Sequence, residues 1–546
     1  MASNDDIADV LVVGAGASGA AFTWSLAQAG INVICLEQGG WVPTDAFPIS
    51  EATAQIHYQT DFHPDPGFRA LPEDYPINED ETPIAPLMYN AVGGSLIHWG
   101  AHFPRFHPSD FRVKTLEGVA DDWPISYEEL EPYYDENDRM MGVSGIKGDP
   151  AYPEKPERPC PPLSIRKSGK LLAKAFDKLG WHWWASVTAV SSVRHHDRDP
   201  DMGGYLRSFA SADLTYWPPA IEGGAKLETY ARVREITVDE SGNATGAVYY
   251  QDGVLKEQRA KVVVLACNGV GTARLLLNSK SAQFPNGLAN SSGLVGKCLM
   301  HHPVGSVVGI FDENLDDEHS GPRGSTMLSQ EFYETNPDHD FIRGYDLQVL
   351  GYTDAPLSAA IGSLLGQKVA WGEAHHDDFK ERFGHMISIT VMTEDLPEEH
   401  NMVTLDPELT DSDGIPAPKL NYTVSENTSK LLDHAIARAT EVLEVAGAKK
   451  TVAQPLRRNA GWHLLGTARM GEDPETSVVD RWGRTHDVSN LFIIDGSIFT
   501  TSACINPTPT IQALALRTAD YLKGEGGQVL NSVSYTHLTL PTSDLV

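Results

Sequence analysis

The first forty residues contain two short apolar runs separated by a segment of helical composition. Residues 10–13 (VLVV) and 31–36 (INVICL) are rich in β-branched and other apolar residues, which favour buried strands. Between them, residues 20–29 have helical composition, and Gly30 is typical of the residue that ends a helix. The pattern predicts a strand, a glycine-rich turn, a helix and a second strand.

Similar patterns predict further elements along the rest of the chain. Helices are predicted over residues 168–179, 272–277, 428–446 and 509–522, and strands over residues 226–238, 244–250, 261–266 and 491–494. Asp252 and Gly253 predict a turn. Residues 41–86 are rich in Pro, Asp and aromatic residues without clear periodicity, which predicts a long surface excursion. Residues 305–456 differ from the rest in their short strands and acidic loops.

Length and composition indicate a multidomain globular protein. A chain of 546 residues is too long for one ordinary core, so two or more domains are expected. Hydrophobic residues make up 41% and charged residues 21%, as in soluble globular proteins. No apolar run approaches the roughly 18 residues that a transmembrane helix needs.

The balance of charge excludes two classes of partner. The chain has 42 Lys and Arg against 74 Asp and Glu, a formal charge of −32, which opposes binding to nucleic acid or to an anionic membrane. The first residues, MASNDDIAD, lack the basic start and apolar stretch of a secretory signal. We therefore expect a cytoplasmic protein, unless it is exported with a partner that carries the signal. The five cysteines are scattered without a C-x-x-C pair, which predicts neither a disulfide framework nor a metal site.

The turn after the first strand carries a nucleotide-binding signature. Gly14, Gly16 and Gly19 have the G-x-G-x-x-G spacing, in which the glycines permit a tight turn, approach of the backbone to a pyrophosphate, and close helix–strand packing. Glu37 ends the second strand, where a carboxylate can accept hydrogen bonds from ribose hydroxyls. These residues predict dinucleotide binding and disfavour NADP, but they do not separate FAD from NAD.

Three longer segments separate those cofactors. They are residues 90–106 (NAVGGSLIHWGAHFPRF), residues 461–471 (GWHLLGTARMG), and the pair 490–498 (NLFIIDGSI) and 503–511 (ACINPTPTI). In order and content they resemble the signatures of the glucose–methanol–choline (GMC) oxidoreductase family, including its H-x-x-G-T-x-R-M-G and D-G-S…N-P-T-x-T-I blocks. With the N-terminal turn, the resemblance spans residues 8 to 522.

The resemblance implies an α/β fold, α+β overall, in which two domains are interleaved along the chain. A Rossmann-like FAD-binding domain would be assembled from residues 1–125, 224–304 and 457–523. A substrate-binding domain, built on a mainly antiparallel sheet, would comprise residues 126–223 and 305–456. Residues 524–546 would be a flexible tail, either native or an artefact of cloning or sequence assembly.

The resemblance also implies the oxidation of an alcohol, with a sugar or polyol as the expected substrate. His463 matches the family's histidine that faces the flavin and acts as the base, with hydride passing to flavin N5. Asn506 matches the partner that hydrogen-bonds the substrate oxygen. The electron acceptor would be a quinone or a haem protein. An oxidase that uses oxygen, and a non-redox member similar to hydroxynitrile lyases, are the alternatives.

The remaining family motifs imply flavin contacts. The expected cofactor-binding residues outside the N-terminal turn are Gly93, Gly94, Ser95, His98, Val233, Asp495, Gly496, Pro507 and Thr508. The surroundings of His98 are similar to the pyranose-oxidase branch, in which a histidine carries covalent FAD, so His98 is expected either to bear FAD or to pack against it. His102 is a weaker candidate than His98 for this role. The adjacent histidine pairs at 195–196, 301–302 and 375–376 lack the spacing of metal ligands, so no metal is expected.

Overall fold

Two large β-sheets and the helices packed against them make up most of the molecule. The computed structural model describes residues 7–43, 46, 63–65, 75–193, 209–315, 325–350, 360 and 368–531.

The first sheet joins segments from the beginning, middle and end of the chain. Its seven strands are β1 (Ile7–Val13), β2 (Val33–Leu36), β5 (Lys226–Glu228), β6 (Arg232–Val238), β7 (Ala244–Gln251), β8 (Val254–Leu265) and β16 (Leu491–Ile493). The order is β5-β2-β1-β8-β7-β6, with β16 also paired to β8. Strands β5, β2, β1, β8 and β16 are parallel, and β6 and β7 pair antiparallel. The glycine-rich turn therefore lies at the carboxyl end of a central parallel strand, where ligands of such sheets bind.

The parallel part of this sheet is apolar on both faces because helices cover both. In β1, Val10 and Val12 face one apolar cluster, and Leu11 and Val13 face another. Helix α1 (Ala17–Ala27) packs in the first cluster beside the C-terminal helix. This two-sided burial explains why residues 10–13 are uniformly apolar in sequence.

The second sheet is antiparallel. Its strands are β4 (Trp184–Ala185), β9 (Val304–Ile310), β10 (Ser325–Ser329), β11 (Tyr345–Leu350), β12 (Met386–Thr393) and β15 (Lys450–Gln454), in the order β15-β9-β12-β11-β10-β4. One face packs against two amphipathic helices, Arg166–Leu179 and Glu426–Val445. A third sheet comprises β3 (Asn78–Glu81), β13 (Met402–Thr410) and β14 (Pro416–Asn421).

The helices complete the layers. In chain order they are α1 (Ala17–Ala27), α2 (Val113–Glu117), α3 (Tyr127–Met141), α4 (Arg166–Leu179), α5 (Ala212–Thr215), α6 (Trp217–Glu222), α7 (Asn268–Asn278), α8 (Ala374–Arg382), α9 (Glu426–Val445), α10 (Thr508–Lys523) and α11 (Gln528–Asn531). Short 3-10 helices cover Gly94–Ile97, Pro108–Arg112, Gly496–Ile498 and Glu525–Gly527. In the part of the chain that is described, no helix is both long and apolar enough to cross a bilayer.

The predicted α/β class is confirmed, and the mainly antiparallel second sheet is present as expected. The predicted domain boundaries stay a prediction. The two-residue turn at Asp252 and Gly253 joins β7 to β8, and both residues have positive φ (53° and 71°), as a tight hairpin requires.

Three local predictions differ from the structure. Residues 226–238 form two strands, because the chain turns at Tyr230 (φ 56°) and changes its pairing from β2 to β7. In the predicted surface excursion, residues 44–45, 47–62 and 66–74 lie outside the described residues, whereas Tyr75 and Ile84 are buried in a core cluster. Residues 525–531 of the predicted tail differ from an unstructured segment, because they form two short helical segments with Val529 packed on the core, and the flexibility of the tail stays a prediction. Residues 532–546 of that tail are outside the described part.

Candidate active site

The glycine-rich turn between β1 and α1 is packed so closely that no side chain fits at its first or third glycine. Gly14 has φ 104°, and a Cβ there would lie 2.4 Å from the carbonyl oxygen of Ala266, the residue after β8. A Cβ at Gly19 would lie 1.9 Å from the carbonyl oxygen of Gly14. The first glycine therefore lets the turn pass under the neighbouring strand end, and the third lets the helix close on to the turn.

The first family signature packs directly on this turn. Gly93 has φ 95° and donates its N–H to the carbonyl of Ala15 at 3.0 Å. A Cβ at Gly94 would lie 2.9 Å from the Cα of Gly16, so two glycine backbones meet here. Gly16 and Gly94, which are 78 residues apart in the sequence, thus form one cradle.

Glu37 is fixed by the turn that it follows. Its Oε2 accepts a hydrogen bond from the N–H of Ala15 at 2.8 Å, and its Oε1 accepts one from the N–H of Gly39 at 2.9 Å. Burial raises the pKa of the carboxyl to about 7, and the backbone donors oppose that rise. Each carboxylate oxygen has a second lone pair, so Glu37 can still accept bonds from ribose hydroxyls.

One large cavity connects this turn with the C-terminal motifs. It has about 1350 Å³ of empty volume, part of it open to solvent. Of the predicted site residues, its wall includes Gly14, Gly16, Glu37, Gly94, Ser95, Val233, His463, Asp495, Gly496, Pro507 and Thr508. Gly19 and Gly93 lie behind the wall in the turn contacts described above. The other two predicted residues, His98 and Asn506, also lie outside this wall.

The residues around this cavity fit a dinucleotide with a flavin at one end. Helix α1 begins with Gly16 as an uncapped N-cap, has no acidic residue in its first turn, and presents Gly16, Ala17 and Ser18 to the cavity. Its free N–H groups and positive dipole end suit a pyrophosphate. The cradle of Gly16 and Gly94 leaves no room for a Cβ, so the backbone can approach the cofactor closely.

Asp495, in the D-G-S block, lies in the wall of the cavity. Its Oδ2 accepts a hydrogen bond from the Thr272 hydroxyl at 2.5 Å, and its Oδ1 accepts one from the Ser497 N–H at 2.9 Å. Burial raises the pKa of this carboxyl. A Cβ at Gly496 would lie 2.7 Å from Leu465, so this glycine lets the D-G-S and H-x-x-G-T blocks pack together.

His463 is held by two neighbouring histidines. The Nδ1 atoms of His463 and His302 are 2.7 Å apart. His302 Nε2 lies 2.9 Å from the carbonyl oxygen of Ala503 and 3.1 Å from that of Ser502. His301 Nδ1 lies 3.2 Å from the carbonyl oxygen of His463, so this N–H donates to the backbone of the catalytic candidate.

These contacts assign the tautomer of His463. Carbonyl oxygens only accept, so His302 must carry its proton on Nε2, and its Nδ1 is then an acceptor when the ring is neutral. His463 must therefore donate from Nδ1, which leaves its Nε2 with a lone pair. A neutral imidazole with a free Nε2 is the form that a general base requires.

The surroundings keep both rings neutral. Burial, and then the neighbouring His302, His301 and His102, hold the pKa of His463 well below its usual 6.5. Burial also lowers the pKa of His302 to about 4. At neutral pH the pair therefore carries no charge, as the assigned tautomers require.

Asn506 belongs to a second cluster beside His463. Its Oδ1 lies 2.8 Å from His102 Nδ1 and 2.9 Å from Gln348 Nε2. Both nitrogens donate to that oxygen, so the amide Nδ2 is the end of Asn506 that can donate to another group. Because His102 also perturbs the pKa of His463, the two clusters are close together.

The sequence predicted some members of these clusters and missed others. His102, which the resemblance ranks below His98 for a link to FAD, contacts Asn506 directly. In the sequence, His302 stands out only as a member of an adjacent pair, and no motif marks Gln348. His98 packs its ring edge-on against Tyr89, with ring centroids 4.3 Å apart, and Tyr89 lines the cavity. Val233, on β6, lines the cavity as expected.

The described part of the chain contains no group of three or more His, Cys, Asp or Glu side chains placed to hold an ion, and the expected absence of a metal stays a prediction. The pair His301–His302 is engaged with His463 and the Ser502–Ala503 carbonyls instead. The pair His195–His196 lies outside the described residues.

Comparison with known proteins agrees with the motifs. Sequence models of the GMC oxidoreductase family match residues 8–304 and 397–515. The chain is 43% identical over 536 residues to a 2-methyl-1,2-propanediol dehydrogenase from Mycolicibacterium austroafricanum, covering 96% of each chain. It is 29% identical to the fructose dehydrogenase large subunit of Gluconobacter japonicus, covering 95% of this chain and 98% of that one.

A solved structure supports the same fold. Pyridoxine 4-oxidase from Mesorbium loti superposes with a TM-score of 0.67 at 16% identity, covering 94% of this chain and 99% of that one. The predicted resemblance is confirmed, and with it the FAD-binding character that the family has. The chain belongs to the GMC oxidoreductase family.

Proposed function

We propose that this enzyme oxidises the hydroxyl group of a sugar or small polyol to a carbonyl, with His463 as the base and Asn506 as the donor that holds the substrate oxygen. The observation that carries the proposal is the hydrogen bond between the Nδ1 atoms of His463 and His302, which leaves His463 Nε2 as a proton acceptor at the cavity wall. FAD, when bound, supplies the acceptor for the hydride that leaves the carbon.

Proton removal is the task of the protein side chains. His463 Nε2 accepts the hydroxyl proton, and the resulting imidazolium keeps its Nδ1–H bond to His302. Asn506 Nδ2 donates to the oxygen on which negative charge develops. Its position is set by the two donors that occupy Oδ1, so no reorganisation is needed as the charge forms.

The names of two relatives support the substrate class and the acceptor. One is a diol dehydrogenase and the other a sugar dehydrogenase, and both are similar to this chain over nearly their whole length. We infer that this enzyme also passes electrons to an acceptor other than oxygen, such as a quinone or a haem protein. The cytoplasmic location stays a prediction.

A covalent link between His98 and FAD is a separate proposal. His98 lies beside Tyr89, a residue of the cavity wall, and this position supports either packing against the flavin or a bond to it. Acid precipitation separates the two cases. Colour that stays in the pellet of the wild type and is lost in His98→Ala supports the bond, and flavin released into the supernatant of the wild type contradicts it.

The experiment that tests the function is a visible spectrum of the purified protein under anaerobic conditions, before and after the addition of a panel of alcohols. The panel contains 2-methyl-1,2-propanediol, fructose, gluconate and simple primary alcohols. Bleaching of a flavin spectrum by one of them is the expected result. A flavin spectrum that no alcohol bleaches contradicts the redox proposal, and rapid return of the colour in air contradicts the non-oxygen acceptor.

A further inference from the structure

The second sheet has one apolar face and one face that carries buried polar side chains among apolar ones. Along β11, Tyr345, Leu347 and Val349 face the core under α4 and α9, whereas Asp346 and Gln348 face the other way. On β12, Ile387, Ile389 and Val391 join that core. The residues between them on the opposite face are Ser388 and Thr390, and Thr390 lies directly across from Gln348.

Four polar side chains of this face, on β11 and β12, are almost inaccessible. The exposed fractions are 0% for Asp346, 3% for Gln348, 1% for Ser388 and 5% for Thr390. Asp346 Oδ1, Ser388 Oγ and Thr390 Oγ1 are all buried, and none has a hydrogen-bond partner among the residues that the structure describes. Buried polar atoms are normally paired, so three unpaired atoms on one face indicate a surface that is built to meet a polar ligand.

This face is connected to the proposed reaction centre. Gln348 Nε2 donates to Asp346 Oδ2 at 2.8 Å and to Asn506 Oδ1 at 2.9 Å. His102 Nδ1 donates to the same Asn506 oxygen. In the described part of the chain, His102 Nε2 is buried and has no hydrogen-bond partner. Because His102 Nδ1 donates to Asn506, the unpaired Nε2 carries a lone pair and can accept.

The charge state of the cluster decides what it can bind. Burial raises the pKa of Asp346 well above its usual range, which favours the protonated carboxyl, and that form offers an O–H donor. Burial lowers the pKa of His102 to about 4, so this ring is neutral. A neutral donor beside a neutral acceptor suits a hydroxyl group, which uses both, and does not suit an ammonium or a carboxylate.

We propose that Asp346 and His102 bind a second hydroxyl group of the substrate, on the carbon next to the one that is oxidised, so that the substrate class is a vicinal diol. The inference rests on the proposed function, because Asn506 holds the reacting oxygen. His102 contacts Asn506 directly, and Gln348 joins Asp346 to the same amide, so we place the second hydroxyl group next to the reacting one. Gln348 holds Asp346 and Asn506 at a fixed spacing.

A pair of alcohols that differ only in the second hydroxyl tests this proposal. The rate of anaerobic flavin reduction, divided by the dissociation constant of the alcohol, is measured by stopped flow for 1,2-propanediol and for 1-propanol. The ratio of the two values cancels any effect on FAD or on Asn506. We expect the wild type to favour the diol by at least about tenfold, because 1-propanol leaves the buried polar atoms unpaired.

Three variants locate that preference. In Asp346→Leu the ratio should fall towards one, mainly through slower reaction of the diol. In His102→Phe, which keeps the test decisive if the leucine variant does not fold, the ratio should also fall. Tyr345→Phe is the matched control, because it removes a hydroxyl group from the residue next to Asp346. That hydroxyl lies on the opposite face of the sheet and bonds His434, so this variant should keep the ratio of the wild type.

The outcomes separate this proposal from the function on which it rests. Equal reaction of the wild type with both alcohols, or an unchanged ratio in both variants, overturns the vicinal-diol assignment. Flavin reduction by another alcohol but not by 1,2-propanediol also overturns it, and leaves the alcohol-oxidising function intact. Failure of every alcohol to reduce bound flavin contradicts the function itself.

Discussion

The two ends of the active-site region are built in different ways. At the dinucleotide end, Gly14, Gly16 and Gly19 lie within six residues of each other, and the backbone forms the site. At the substrate end, His463 and Asn506 are held by residues that the sequence places far away, such as His102 and His302. The dinucleotide end needs glycines, because a side chain would block the close backbone contacts. The substrate end depends on hydrogen bonds between side chains.

This difference means that the two ends should fail in different ways. A change in the glycine turn should remove the cofactor and with it every activity. A change among the histidines should leave FAD bound and alter only the reaction with substrate. Each prediction below tests that separation, beginning with the largest expected effect.

Gly14→Ala should give a protein that does not fold or does not hold FAD. The added Cβ would lie 2.4 Å from the carbonyl oxygen of Ala266 at a φ of 104°. Gly30→Ala is the control within the same βαβ unit, because Gly30 also has positive φ (73°) but no atom within 4 Å of the added Cβ. The control should keep FAD and lose only about 1–2 kcal/mol in the free energy of unfolding. Equal flavin content in the two variants, measured by absorbance, would show that contact with Ala266 is unimportant.

His302→Leu should slow flavin reduction about tenfold or more without loss of FAD, because His463 Nδ1–H then has no acceptor in the protein. His302→Gln, which can still accept and donate, should recover most of the rate. The comparison is made on the reduction rate at saturating alcohol, with flavin content and melting temperature as controls. A leucine variant that reacts as fast as the wild type would contradict the assigned tautomer.

The pH dependence of reduction should be weak, changing the rate less than about twofold between pH 6.5 and 8. A base with a pKa well below 6.5 is already neutral throughout that range, and its activity falls only as acid protonates it. Burial keeps the pKa values of His301, His302 and His102 at about 4, so none of these neighbours changes charge there either. A rate that rises with an apparent pKa of 6.5 or above would place a different group in the role of base.

The same contrast explains how much the sequence could predict. The β1–α1–β2 unit was predicted within about three residues, because period and glycine spacing are local properties. His463 and Asn506 were predicted only because they lie inside long family motifs. By contrast, the link between His463 and His302 joins positions 161 residues apart, and no local pattern encodes it.

A weaker signal for the substrate end was present in the sequence. Residues 345–350 (YDLQVL) and 386–391 (MISITV) alternate apolar and polar residues, which is typical of a strand with one polar face. That pattern usually means that the polar face meets solvent. Only the structure shows that Asp346 and Gln348 are buried, and burial is what turns an ordinary polar face into a candidate binding surface.

The most direct test of this account is one pair of measurements on His463→Ala, the flavin content and the anaerobic rate of flavin reduction by an alcohol that reduces the wild type. His376→Ala, which removes an exposed histidine, is the control. The account predicts full FAD content in both variants, a wild-type rate in the control, and a rate lower by a factor of about 100 to 10 000 in His463→Ala. Near-normal reduction in His463→Ala would contradict its role as the base, and loss of FAD from that variant would contradict the separation of the two ends.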